Sequence, residues 1–477
     1  MMKLSELLKN VEMIKPLERD IEIENVVFDS RKVQKGDLYI CLSGSKSDGH
    51  DFAPAAEKSG ATAIVCERPV EGISIPQVVV ASSRKAMSVI ASNFYGNPSC
   101  KLSLIGVTGT NGKTTVTHLV KEILDKSGHK TGLIGTTHNV IGDKVYEAHM
   151  TTPDPMDLHK LFIDMVSEGC DTVIMEVSSH SLYLDKLYGV KFAVGAFTNL
   201  TQDHLDFHKT MDAYFEAKCK LFALSEKAVV NSDDPYGKKL ADKIDCISFG
   251  SNENSNITAK NEKFSADGVK FDLIYEEKIY PISLAIPGEF SVYNAMTAFG
   301  ICVATGLNPQ TAADCLCSAK GVKGRVEVVP TGKDFTILID YAHTPDALEN
   351  VLKTVKGFAK GHVIAVFGCG GDRDKTKRPI MGRIAAEHAD VCIVTSDNPR
   401  TEDPDAIIAD IVEGMKGSED KTVTVTLREE AIEYAINHAQ KDDVIVLAGK
   451  GHETYQIFKD KTIHFDEREV VRKYLPL

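Results

Sequence analysis

The chain contains no apolar run approaching the length needed to cross a bilayer, and its 11 cysteines include no C-x-x-C pair. The first absence makes a soluble protein the expectation. The second removes zinc-finger and disulfide-framework readings and predicts reduced, mostly buried thiols in a cytoplasmic protein, with Cys315 and Cys317 in a helix-like stretch. Nor is there an excess of basic charge: Lys+Arg number 55 against Asp+Glu 68, for a net charge of −13. That balance argues against wholesale binding to nucleic acid or insertion at an anionic membrane, while leaving room for local basic sites. No internal repeat or low-complexity segment is present, so the 477 residues are free to build about three compact domains. At the start, Leu4, Leu7, Leu8, Val11 and Ile14 recur at helical spacing, which predicts an amphipathic helix over 1–14 rather than a signal peptide.

Residues 106–115 read Gly-Val-Thr-Gly-Thr-Asn-Gly-Lys-Thr-Thr, between an apolar run at 102–107 and a helix-like stretch at 114–126. A strand, closely spaced glycines and a helix N-terminus make a phosphate-binding loop, in which backbone N–H groups converge on phosphate oxygens. Gly109, Thr110, Asn111, Gly112, Lys113, Thr114 and Thr115 are the candidate nucleotide contacts, with Lys113 reaching the terminal phosphates and Thr114 holding Mg²⁺. The strict pattern wants a glycine where Val107 stands, so this loop takes its early glycine from Gly109.

Residues 1–98 hold short strand candidates (26–28, 37–42, 61–66, 77–81) and a helix over 84–95 that ends at Gly96-Asn-Pro98, a natural boundary. Over 99–330, apolar runs alternate with helical patterns (156–166, 172–177, 194–200, 212–224, 228–231), which builds a parallel sheet covered by helices. Residues 256–285 read as β-hairpin material and 291–306 as a helix. After Pro330-Thr-Gly332 the alternation restarts through 335–339, 362–367, 391–395, 423–426 and 444–448. The expected fold class is therefore α/β in three domains. A small N-terminal α/β domain precedes a central phosphate-loop parallel-sheet domain and a doubly wound, Rossmann-like domain over 331–477, with ligands at the carboxyl ends of the strands.

Several polar clusters fall just after these strands. Glu176 ends the run Thr172-Val-Ile-Met-Glu176 and precedes Val177-Ser-Ser-His180; it is either a Mg²⁺ ligand beside the phosphate loop or an edge carboxylate. The stretch Asp203-His-Leu-Asp206-Phe-His208 is either a second site for a hard cation with one imidazole or a solvated acidic turn. Lys218 and Lys220, on a helix predicted over 212–224, read as ordinary surface lysines. In the third domain, the segments 340–346, 368–379, 397–400 and 449–453 each follow a predicted strand, and their arginines suit phosphate or carboxylate.

Taken in order, these segments resemble the ATP-dependent Mur ligases of peptidoglycan synthesis, most closely the members that attach the third peptide residue. The likeness rests on Phe28-Asp-Ser30-Arg31, Gly109 to Thr115, Thr151-Thr152-Pro153, Glu176 to His180, Asp203-His-Leu-Asp206, Tyr293-Asn294, Gly324-Arg325, Asp340-Tyr-Ala-His343, the 370–379 loop, Asp397-Asn-Pro-Arg400 and Gly449 to Glu453. It spans nearly the whole chain. The resemblance implies that 1–98 binds the UDP end of a UDP-N-acetylmuramoyl-dipeptide through Phe28, Ser30, Ser45, Lys46 and Ser47, and that Thr151, Thr152, Ser178 and Lys186 meet its dipeptide part. It implies Mg²⁺ at Thr114 and Glu176, and a second Mg²⁺ at His204 and a CO₂-derived carbamate on Lys218. Asn294, Arg325 and Asp340 would hold ATP, with Lys377 or Arg378 assisting at the phosphates. Arg373, Asp397, Asn398, Pro399, Arg400, Gly449 and Glu453 would form the amino-acid pocket, where the Asp-Asn-Pro-Arg form implies meso-diaminopimelate because Arg400 can pair with its distal carboxylate. A buried arginine left without its anion penalises lysine, the alternative amino acid. His343 or Glu453 would orient or deprotonate the amine. The family often has Gln and Arg where this chain has Leu184 and Lys186, and Lys cannot reproduce an Arg fork. A cytoplasmic monomer is expected, with closure of the third domain over the second. A nucleotide-binding scaffold without catalysis is the reading from another class, opposed by the presence of Lys113, Glu176, His204 and Lys218.

Overall fold

The computed structural model describes residues 1–17, 19–44, 47–265, 267–319 and 321–475. Tertiary contacts gather the chain into two compact units, Met1–Ser255 with Thr297–Asn308, and Asn256–Met296 with Pro309–Leu477.

The first unit begins with a parallel sheet of four strands, β1 Val26–Val27, β2 Leu38–Ile40, β3 Ala63–Cys66 and β4 Gln77–Val79, in that spatial order. Strands β2 and β3 are buried at every position, as befits a parallel sheet covered on both faces. Helix α1, Ser83–Phe94, lies on one face together with Leu4, Leu7, Leu8 and Val11. The expected amphipathic helix over 1–14 is corrected here: helix runs over Leu4–Leu7, and Met2–Lys3 pairs as a strand with Glu22–Ile23. Asn10, with a φ of 65°, turns the chain away from helical geometry, and Ile14 donates its N–H to the Val79 carbonyl. Strand pairing at both ends of a short segment outweighs its helical periodicity.

The larger sheet of this unit contains β5 Ser103–Thr108, β6 Thr131–Ile134, β7 Thr172–Glu176, β8 Phe192–Phe197, β9 Ser225–Asn231 and β10 Ile247–Phe249. Their order is β6-β7-β5-β8-β9-β10, parallel throughout. An antiparallel hairpin, His138–Ile141 with Lys144–Glu147, extends the β6 edge. Strand β6, this hairpin and β10 escaped the pattern reading because they are short, and Thr131-Gly-Leu-Ile134 becomes a strand through its pairing with β7. Because β7 and β8 flank β5, the carboxyl ends of these three strands open on one rim, where an α/β sheet binds its ligand.

The second unit carries an antiparallel sheet, β11 Ile257–Ser265, β12 Gly268–Tyr275 and β13 Lys278–Leu284. It then carries a doubly wound sheet of β14 Thr336–Asp340, β15 Val363–Phe367, β16 Val391–Val394, β17 Thr422–Thr424 and β18 Val444–Ala448, in the parallel order β14-β18-β15-β16-β17. Two apolar clusters, one holding Leu338, Phe367 and Val446 and the other Ile339, Val366 and Leu447, cover its faces.

Candidate active site

Strand β5 delivers the chain to Gly109, whose φ of +147° and tight surroundings exclude a side chain: a Cβ there would lie 1.9 Å from Thr198 Oγ1. Gly112, at φ 87°, caps helix α2, Lys113–Lys126, whose first-turn N–H groups lack intrahelical acceptors. Val107, where a strict phosphate loop has glycine, is a buried strand residue paired with Glu176 and Ala196, so the turn begins two residues later. Two residues that the sequence reading left unassigned fix the loop. The Asn199 carbonyl and Oδ1 accept from Thr110 N and Asn111 N, both at 2.9 Å, and Thr198 Oγ1 donates to the Asn111 carbonyl at 2.6 Å. Their place just after β8 was the available signal.

Lys113 Nζ donates to the carbonyls of Gly109 (3.0 Å) and Thr110 (2.8 Å). Lys218, on helix α3 Met211–Ala223, donates to the same Gly109 carbonyl at 2.8 Å and is 1% exposed, which corrects the surface reading of this lysine. Burial, reinforced by the nearby Lys113 cation, pushes the Lys218 ammonium well below its ordinary range, against a weaker opposing pull from Asp203. Its Nζ sits 4.5 Å from the centre of the Tyr214 ring, and the His204 ring lies 6.1 Å from the same ring. His204 has a φ of 52° and pairs with Asp203 at 3.3 Å. The structure thus brings Lys113, Lys218, Asp203 and His204 to one neighbourhood of the loop.

Glu176, fully buried at the end of β7, accepts from Thr114 Oγ1 (3.0 Å) and Thr136 N (2.9 Å) through Oε1 and from Thr136 Oγ1 (2.9 Å) through Oε2. Thr151 Oγ1 lies 3.0 Å from Thr136 Oγ1, while Thr152 Oγ1 donates to the Glu176 carbonyl and accepts from Ser178 N. Thr114, Thr151, Thr152, Glu176 and Ser178 therefore lie together in one hydrogen-bonded cluster, and Thr136 is a member that the sequence did not announce. Neutral oxygen donors around a buried carboxyl group suit a hard divalent cation. Among the described residues, however, no group of three or more His, Cys, Asp or Glu side chains is placed to hold a metal by itself. Mg²⁺ commonly takes one or two carboxylates and completes its shell with waters and phosphate oxygens, so these donors fit such an ion.

Lys186 pairs with Asp154 at 2.8 Å, which ties it to the segment carrying Thr151 and Thr152. Phe28 and Ser30 follow β1; Ser30 opens a short turn capped by Asp29, whose carboxylate also binds Arg31. Ser45 and Lys46 lie outside the described residues, and the Ser47 carbonyl accepts from Gly44 N at 2.9 Å.

In the second unit, the clusters sit at the carboxyl ends of β14, β15, β16 and β18. Asp340 accepts from Val326 N and Ala342 N, both at 2.8 Å; burial raises its carboxyl against the pull of Arg325. Arg325 lies over the Tyr341 ring at 5.1 Å, and that ring also meets His343 and His452. Asn294 is buried on the helix Glu289–Ala304. His343 Nδ1 contacts the Tyr341 carbonyl at 2.8 Å, and Lys377 Nζ donates to the His343 carbonyl at 2.7 Å. Arg378 is corrected: 1% exposed, it forks onto Glu402 (2.9 and 3.1 Å) and Asp410 (2.9 Å), an internal ion pair that commits its guanidinium elsewhere than phosphate.

The loop Asp397-Asn398-Pro399-Arg400 is held by the hairpin Tyr455–Ile457 with Thr462–His464. Gln456 Nε2 donates to the Asp397 carbonyl at 2.6 Å, Ile457 N to Asn398 Oδ1 at 3.0 Å, and Arg400 N to the Ile457 carbonyl at 3.0 Å. Asn398 Nδ2 donates to Glu453 Oε2 at 2.9 Å. Gly449, at φ +119°, leaves space in which a Cβ would come within 3.1 Å of Asp397 Oδ2. Arg400 Nη1 donates to the Gly371 carbonyl at 2.9 Å, and Arg373 Nη1 to the Asp372 carbonyl at 3.0 Å. An open cavity of about 580 Å³ lies beside Arg400, between residues 399–404 and 458–461. Lys450, fully buried against Asp397, Asn398 and Glu453, is the residue that sequence reasoning missed, because a lysine between two glycines reads as solvated.

Three family models match the chain: "Mur ligase family, catalytic domain" over 22–95, "Mur ligase middle domain" over 107–302 and "Mur ligase, glutamate ligase domain" over 324–451. A UDP-N-acetylmuramoyl-L-alanyl-D-glutamate--2,6-diaminopimelate ligase of Clostridium botulinum is 48% identical, covering 99% of each chain. One from Clostridium acetobutylicum is 51% identical, covering 96% of this chain and 95% of its own. Among solved structures, a ligase of the same name superposes with a TM-score of 0.71 at 32% identity, covering 95% of this chain and 94% of its own. The α/β, three-domain Mur ligase architecture expected from the sequence is the one found, no helix among the described residues is long and apolar enough to cross a membrane, and the chain belongs to the Mur ligase family.

Proposed function

We propose that the chain is an ATP-dependent, ADP-forming ligase. It joins meso-diaminopimelate to the D-glutamyl γ-carboxylate of UDP-N-acetylmuramoyl-L-alanyl-D-glutamate in peptidoglycan precursor synthesis. The observation that carries the reading is the convergence of Lys113, Thr114, Glu176 and Lys218 on one phosphate loop. The relatives' names supply the substrates.

A carboxylate resists a nucleophile because it is negative and its leaving group is oxide. Phosphorylation removes both obstacles. The γ-carboxylate attacks the γ-phosphorus of ATP, giving an acyl phosphate and ADP. The amine then attacks the acyl carbon, the tetrahedral intermediate collapses, and phosphate leaves as the amide forms. Gly109 to Thr115 cradle the phosphates and Lys113 neutralises their charge. Asn294, Arg325, Asp340 and Lys377 contact the nucleotide, and Phe28, Ser30 and Ser47 the uridine diphosphate. Thr151, Thr152, Ser178 and Lys186 hold the dipeptide. Thr114 and Glu176, and His204 with Lys218, would hold Mg²⁺, which would supply charge neutralisation for the transferring phosphoryl group. The depressed Lys218 ammonium favours the neutral amine, the form able to take up CO₂ as a carbamate and so offer oxygen in place of a cation. Arg373, Asp397, Asn398, Pro399, Arg400, Gly449 and Glu453 receive the amino acid, with His343 or Glu453 orienting its amine. Phosphate release is measured with UDP-N-acetylmuramoyl-L-alanyl-D-glutamate and either diaminopimelate or lysine. Release dependent on diaminopimelate and abolished by Lys113→Ala in folded protein is expected. Release with neither amino acid would overturn the ligase reading, and a preference for lysine would overturn the role given to Arg400.

A further inference from the structure

Lys450 follows β18 between Gly449 and Gly451 and is 0% exposed. Its ammonium lies 3.0 Å from Glu453 Oε2, 3.3 Å from Asn398 Oδ1 and 3.5 Å from Asp397 Oδ1. The ammonium donates hydrogen bonds to Glu453 Oε2 and Asn398 Oδ1, while Asp397 Oδ1, which accepts no hydrogen bond, faces it at ion-pair distance. The same Glu453 oxygen accepts from Asn398 Nδ2, and Asn398 Oδ1 also accepts from Ile457 N, so the Asn398 amide has one orientation consistent with all its partners. A buried charge is retained at a desolvation cost that only close partners offset. In this fold those partners are three side chains of the amino-acid pocket, and Lys450 itself has no surface with which to touch a substrate.

We propose that Lys450 is a positioning and specificity-determining residue, whose buried ammonium locks Asp397, Asn398 and Glu453 into one arrangement and sets the charge of the pocket that receives the incoming amino acid. The proposal rests on the pocket assignment made above. Two consequences follow from the geometry. Without the ammonium, Glu453 Oε2 and Asn398 Oδ1 each lose a donor and the two carboxylates face each other without an intervening cation. The pocket, which also holds Arg373 and Arg400, loses one positive charge. Diaminopimelate carries one more carboxylate than lysine, so that loss bears on diaminopimelate more heavily.

The test uses the full chain with Lys450→Met and Lys450→Gln, the second keeping N–H donors without charge. Phosphate release is followed while ATP, the UDP-linked dipeptide, diaminopimelate and lysine are varied in turn. In both variants the KM for diaminopimelate is expected to rise about tenfold or more, and the kcat/KM preference for diaminopimelate over lysine to fall about tenfold, with the KM for ATP and for the UDP-linked dipeptide within about twofold of wild type. An unchanged diaminopimelate KM, a parallel rise for all substrates, equal losses for diaminopimelate and lysine, or failure of both variants to fold would each overturn the proposal, the last by making Lys450 a structural cation alone. A wild-type protein that releases phosphate with neither amino acid would instead overturn the ligase reading and the pocket assignment with it.

Discussion

His159 lies on the helix Pro155–Ser167, 1% exposed, with its ring edge-on to Phe162 at 5.6 Å and neither ring nitrogen hydrogen-bonded. Burial lowers its pKa from 6.5 to about 4, because an imidazolium there would lose its water without gaining an acceptor. The folded state therefore holds the ring neutral, while the unfolded chain protonates it as pH falls through 6.5. Above that value the two states bind protons alike and the group is silent; between 6.5 and about 4 the unfolded chain binds more, and stability falls with pH. At about 1.36 kcal/mol per unit, the shift sets a ceiling of roughly 3 kcal/mol below pH 4 and a loss of about 2 kcal/mol between pH 8 and pH 5. Other groups titrate over the same interval, so the informative quantity is a difference. Urea unfolding of wild type and His159→Leu, followed by circular dichroism at pH 8 and pH 5, is expected to show the variant losing about 2 kcal/mol less than wild type on acidification. Parallel losses, within about 0.5 kcal/mol, would refute the reasoning and show that the ring is solvated or partnered in solution.

Two further outcomes are expected. Gly109→Ala introduces a Cβ 1.9 Å from Thr198 Oγ1 at a φ of +147°, so the loop must move off Asn199 and Thr198; calorimetry should find ATP binding weakened at least about tenfold, with backbone strain of about 1–3 kcal/mol in stability. If Lys218 is carbamylated, ¹³C-bicarbonate should give a carbamate resonance that Lys218→Ala lacks, and activity should fall in CO₂-depleted buffer and return with bicarbonate. Full activity without CO₂ would leave Lys218 as an amine bound to the Gly109 carbonyl.

The amino-acid sequence by itself determined the phosphate loop, the alternation that builds two parallel sheets, and the ordered motifs that place the chain among the Mur ligases. These are local properties: strand, turn and helix N-terminus are adjacent in the chain, and a resemblance is carried by residues in order. Boundary strands such as Thr131–Ile134 and Ile247–Phe249, and the short helix at Leu4–Leu7, were decided by tertiary structure, because pairing partners distant in sequence outweigh weak local preferences. The same holds for charge. Lys218, Arg378 and Lys450 look alike in sequence as basic residues near ligand loops. Folding buries all three, sets the first against a loop carbonyl beside Lys113, the second into an ion pair with Glu402 and Asp410, and the third beneath Asp397, Asn398 and Glu453. A charge's function depends on its desolvation and its partners, and both are properties of the packed chain.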